Sequence, residues 1–93
     1  MLKYIKMSLL LKDYRVLAAK YPGLLPCPEH IDTEQIVDNI VLAFGLFTPT
    51  DDETLTQQIQ SACRWQRVEM PADIQPMIKF LQVWMPIIQE SEH

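Results

Sequence analysis

The chain has 93 residues, 48% of them apolar, and its 8 basic against 12 acidic residues leave a formal charge of −4. That length fits one all-helical domain over residues 1–93 and not two. The apolar fraction is too high and the charge too small for a disordered chain, and a content of two glycines excludes linker-like or collagen-like material.

The first segment, Met1 to Leu11, does not read as a secretory signal: Lys6 and Ser8 break its apolar run and no small-residue cleavage site follows. No stretch of about 20 apolar residues is present, so no spanning helix is expected. Two cysteines, Cys27 and Cys63, are not a disulfide framework. Together these features lead us to expect a cytoplasmic chain. Charge is unevenly placed. Residues 1–21 hold Lys3, Lys6, Lys12, Arg15 and Lys20 against Asp13, whereas residues 22–93 set Arg64, Arg67 and Lys79 against eleven acids. A basic first segment packed on an acidic remainder is the simpler expectation; a basic arm that meets an acidic partner or a membrane surface is the other.

Four segments read as helix and none as strand. The first starts near Leu2 or Ser8 and ends at Tyr21, with Met7, Leu10, Leu11, Tyr14, Leu17, Ala18 and Tyr21 forming one stripe. Pro22-Gly23 stops it. Residues 22–31 contain three prolines, which favour extended geometry and predict an ordered loop that pins Leu24 and Leu25 to the core.

The second helix has the clearest start. Asp32 and Gln35 have capping-box spacing, and Ile31 and Ile36 occupy the positions of a hydrophobic staple. Ile36, Ile40, Phe44 and Phe47 continue as a stripe toward Gly45 and beyond, widened by Val37, Val41 and Ala43. A third start follows. Thr48 before Pro49, or Thr50 with Glu53, supplies the cap, and Asp51, Asp52 and Glu53 suit the positive end of the helix dipole. This helix runs to about Arg67 on a narrow stripe of Leu55, Ile59, Ala62 and Cys63, which makes it the most solvent-facing of the four.

Asp73 or a neighbour opens the fourth helix, with Pro76 in its first turn. Residues 74–88 include ten apolar side chains among fifteen. Gln75, Lys79, Gln82, Pro86 and Gln89 fall within about 80° of one another on a helical wheel, leaving the rest of the circumference apolar. Pro86 should kink this helix or end it near Met85. An ordinary surface helix has an apolar stripe little more than 100° wide. The expected fold is therefore an all-α, four-helix bundle-like domain whose fourth helix is central or lies at an oligomer interface.

Catalytic or metal chemistry finds little support. Cys27 and His30 could be near neighbours, but neither a full zinc ligand set nor an oxyanion hole accompanies them. His93 is the last residue. Asp51-Asp52-Glu53 lacks calcium-loop spacing, and no phosphate-binding or HExxH motif occurs. No cofactor or metal and no enzymatic activity are expected. The function expected instead is protein–protein interaction through apolar helix surfaces, as an adaptor, a chaperone or an inhibitor of a larger assembly. Phe80, Val83, Trp84 and Ile87 are the candidate partner-binding residues, meeting another protein or a second copy in a homodimer. The alternative is a helix-turn-helix DNA-binding regulator formed by the second and third helices. Nucleic acid suits the chain poorly, because the would-be recognition helix opens on three acids and the pI is about 4.9.

Overall fold

The computed structural model describes residues 4–48 and 51–92. Four helices account for most of them: α1 (Tyr4–Lys20), α2 (Thr33–Phe44), α3 (Asp52–Gln66) and α4 (Gln75–Glu92), with no strand among the described residues. Expectations placed on Leu2, Lys3, Pro49, Thr50 and His93 lie outside the described residues. The fold is the expected all-α, four-helix bundle-like domain. α1 packs on α2 and α4, and α3 packs on the same two helices, so the four close into a ring.

Local sequence explains most element boundaries. At α2, Asp32 has extended backbone and its carboxylate accepts from the Gln35 N–H at 2.8 Å. The Gln35 side chain in turn accepts from the Asp32 N–H at 2.9 Å, which completes the capping box. The helix ends at Phe44, and Gly45 takes φ 80°, a conformation in which glycine alone is unstrained. At α3 the cap is Asp51, which replaces the expected Thr48. Its carboxylate accepts from the Thr54 N–H at 2.8 Å, and the Thr54 side chain, together with that N–H, holds the carboxyl below its ordinary pKa. The Asp73 carboxylate accepts from the Gln75 N–H at the start of α4.

Pro86 does not end α4, which continues to Glu92. Proline cannot donate to the carbonyl of Gln82, but both residues are exposed, so the helix can continue without burying an unpaired oxygen.

The core is built from the predicted stripes. Leu10, Tyr14, Ile36, Ile40, Leu55, Ile59, Met77, Leu81, Met85 and Ile88 are fully buried, with Leu24 and Leu25 brought in by the proline-rich loop. Two tyrosines anchor loops to this core. Tyr14 Oη donates to the Pro26 carbonyl at 2.5 Å and accepts from Asn39 Nδ2 at 3.1 Å. Tyr21 Oη donates to the Asp73 carbonyl at 2.6 Å, which ties the end of α1 to the α3–α4 connection. Among the described residues no buried side-chain polar atom lacks a partner.

Burial raises the pKa of both phenols above the ordinary tyrosine range; the nearby Asp73 carboxylate adds to the effect at Tyr21, and the Asn39 hydrogen bond partly offsets it at Tyr14. A group whose folded pKa is raised stabilises the fold at lower pH and loses that contribution as pH climbs from the unfolded toward the folded value. Tyr14→Phe should therefore lower stability by about 1 kcal/mol at neutral pH through the lost hydrogen bonds. It should also flatten the decline in stability above the ordinary tyrosine pKa. Urea melts at neutral and alkaline pH check both effects, and an unchanged alkaline decline would contradict this assignment.

Candidate functional site

The bundle covers most of α4. Its buried residues, Met77, Ile78, Phe80, Leu81, Trp84, Met85 and Ile88, span about 160° of the helical circumference. Neighbours within the same chain supply that cover, so of the candidate partner-binding residues Phe80, Val83, Trp84 and Ile87, two are buried in the bundle itself. Trp84 is only 4% exposed and Phe80 only 6%, while Val83 is 55% exposed and Ile87 is half-buried. The Phe80 and Trp84 rings lie 6.5 Å apart, tilted by 44°. Trp84 Nε1 donates to the Asp13 carboxylate at 3.0 Å, so α1 supplies the partner that a buried indole N–H requires.

Three of the four residues still border one feature. A cleft of about 300 Å³ runs between α1 and α4, with Leu17, Phe80 and Trp84 in its walls, Val16 and Val83 at exposed positions, and Asp13, Lys20 and Lys79 among its lining. Ile87 is not part of that lining.

The most exposed apolar side chains lie elsewhere, at positions the sequence reading did not single out. Trp65 on α3 is 82% exposed and Leu42 on α2 is 80% exposed. Both border a shallow depression of about 340 Å³ with Ala43, Phe44, Gln58, Ser61 and Ala62. A second depression of about 210 Å³, also bordered by both, reaches Leu24, Pro26, Asn39 and Gln66. A third, of about 620 Å³, is lined by Ser61, Arg64, Trp65 and Arg67. Trp65 thus borders depressions shared with Leu42 as well as one shared with Arg64 and Arg67.

The turn that ends α3 shapes this surface. Arg67 has φ 58° and ψ 43°, the left-handed conformation. Its N–H donates to the Arg64 carbonyl at 3.2 Å, and the Val68 N–H donates to the Cys63 carbonyl at 2.8 Å, the pattern of a Schellman motif. Glycine is the usual occupant of that position, and any other residue costs about 1 kcal/mol there. Here the position carries an arginine.

The groups with shifted pKa values do not gather in one place. Cys63 is buried within the core, which pushes its thiol up, whereas Cys27 is exposed on the proline-rich loop, and both are free. Among the described residues no three His, Cys, Asp or Glu side chains come close enough to hold a metal ion. No helix among the described residues is long and apolar enough to cross a membrane. No protein-family model, curated protein or solved structure matches the chain.

The two tryptophans should respond oppositely to truncation. Trp84→Ala removes a buried ring and is expected to cost about 3–5 kcal/mol. Trp65→Ala removes an exposed one and should change stability by no more than about 0.5 kcal/mol. Denaturant midpoints at constant slope make the comparison. Equal losses at the two positions would show that Trp65 also supports the core.

Proposed function

We propose that this is a non-enzymatic protein–protein interaction module whose recognition surface is the α2–α3 face around Trp65 and Leu42. One observation carries the reading: the two most exposed large apolar side chains border the same depressions. Single exposed hydrophobic residues are ordinary, but clustered ones mark interaction sites. Tryptophan and arginine are also the residue types that dominate binding energy at interfaces. An adaptor, a chaperone or an inhibitor of a larger assembly would each use such a face, and the α1–α4 cleft offers a second one on the other side of the ring.

Other features agree with this reading. The titratable groups that burial or hydrogen bonding perturbs are Tyr14, Tyr21, Asp51 and Cys63. Each is explained by a loop anchor, a helix cap or core packing, and none shares a cleft with a nucleophile–base pair. Two free thiols suit a reducing, cytoplasmic setting. The helix-turn-helix alternative gains no support, because α3 opens with Asp51, Asp52 and Glu53 exposed, a sign that repels phosphate.

An aromatic photo-crosslinking amino acid at position 65, which keeps a large apolar ring in place of Trp65, tests the reading, with the same group at exposed Glu34 as control. In the cells that make the protein, position 65 should give a discrete adduct with a protein, identified by mass spectrometry, and position 34 should not. Equal labelling at both positions, or none at 65, would contradict the assignment of this face.

A further inference from the structure

We infer that the occupant of the Trp65 face is a second copy of this chain, bound with the two α3 helices antiparallel about a twofold axis near residues 58 and 59. This inference rests on the reading of that face as a recognition surface and adds the identity of the partner.

The outward side of α3 has a self-complementary order. Opposite the buried stripe of Leu55, Ile59, Ala62 and Cys63 lie Glu53, Gln57, Ser61 and Arg64, all exposed. Their spacings of four, four and three keep them on one face of the helix. Trp65 flanks this ridge at one end, and Asp51 and Glu53 lie at the other, while Asp52 is turned toward Gln82 of α4. An antiparallel copy sets Gln57 opposite Ser61, where a small side chain permits close approach. The same register brings Arg64, Trp65 and Arg67 over the partner's Asp51–Glu53 turn.

Charge identifies the partner. Over residues 22–93 only Arg64, Arg67 and Lys79 oppose eleven acids, and two of those three cations flank the most exposed tryptophan. The complementary acids sit about 18 Å along the same helix, given 1.5 Å per residue. A twofold pairing satisfies both ends at once, as a closed isologous interface must. The arginine in a left-handed turn fits this scheme, since it places a second cation beside Trp65 where glycine would supply none.

Trp65 of each copy lies over the partner's first α3 turn, and the charges set register and orientation. A single helix of 15 residues makes a small interface, so the dimer should dissociate on dilution and weaken as salt rises. The α1–α4 cleft, across the ring from this face, stays open in the dimer.

Sedimentation equilibrium over a wide range of protein concentration tests the pairing. Wild type should pass from monomer to dimer, and Trp65→Ala should remain monomeric at the concentrations where wild type pairs. The double variant Arg64→Glu with Arg67→Glu should be monomeric alone, and so should Glu53→Lys. An equimolar mixture of these two should recover the dimer, because each restores opposite charges at both ends of the other. Circular dichroism and denaturant midpoints confirm that every variant is folded.

Wild type that stays monomeric throughout, a dimer that survives both Trp65→Ala and the charge reversals, or a mixture that fails to pair would each overturn the inference. A monomeric wild type that still crosslinks through position 65 to a different protein would reject the dimer and keep the recognition face. A monomeric wild type with no adduct at position 65 would reject both.

Discussion

Removing α4 from water is the constraint on which the bundle depends. Met77, Leu81, Met85 and Ile88 lie at full burial, and Phe80 and Trp84 are almost as deep. Fully burying one such side chain is worth about 1.5–3 kcal/mol. The cover comes from the flanking helices, and the Trp84 indole is admitted because Asp13 on α1 accepts its N–H. Three glutamines fasten the far side: Gln58 donates to the Phe44 carbonyl, Gln82 to Asp52 and Gln89 to the Phe47 carbonyl. These contacts tie α3 to the end of α2, and α4 to the start of α3 and to the α2–α3 connection.

Covering α4 has a consequence for α3. Its inward stripe holds four buried side chains, Leu55, Ile59, Ala62 and Cys63, and no described element lies over its outward side. Trp65 falls off that stripe and Leu42 points away from the α2 stripe, so neither finds internal cover. The bundle therefore has two unlike sides. The α1–α4 side carries a narrow cleft with a tryptophan buried in its wall, and the α2–α3 side carries a projecting tryptophan between arginines.

Much of the fold is readable from local pattern because its causes are local. The Asp32–Gln35 capping box, the Pro22-Gly23 stop and the three- and four-residue spacing of each stripe need no knowledge of partners. The width of the apolar arc on α4 correctly signals heavy cover. It cannot say whether that cover comes from the same chain, since Asp13 lies 71 residues from Trp84. The continuation of α4 past Pro86 likewise depends on which side of the helix faces water.

The α2–α3 face was within reach of the sequence. Leu42 lies about 160° from the centre of the buried α2 stripe, and Trp65 about 105° from that of α3. An apolar residue off its stripe is the signal, and attention to the greasiest helix obscures it. The central claim is that Trp84 is satisfied inside the bundle while Trp65 is left for a partner. Hydroxyl-radical footprinting of the dilute folded protein tests it most directly. The account predicts rapid oxidation of Trp65 and Leu42 with protection of Trp84 and Phe80. Oxidation of Trp84 as fast as that of Trp65 would contradict it.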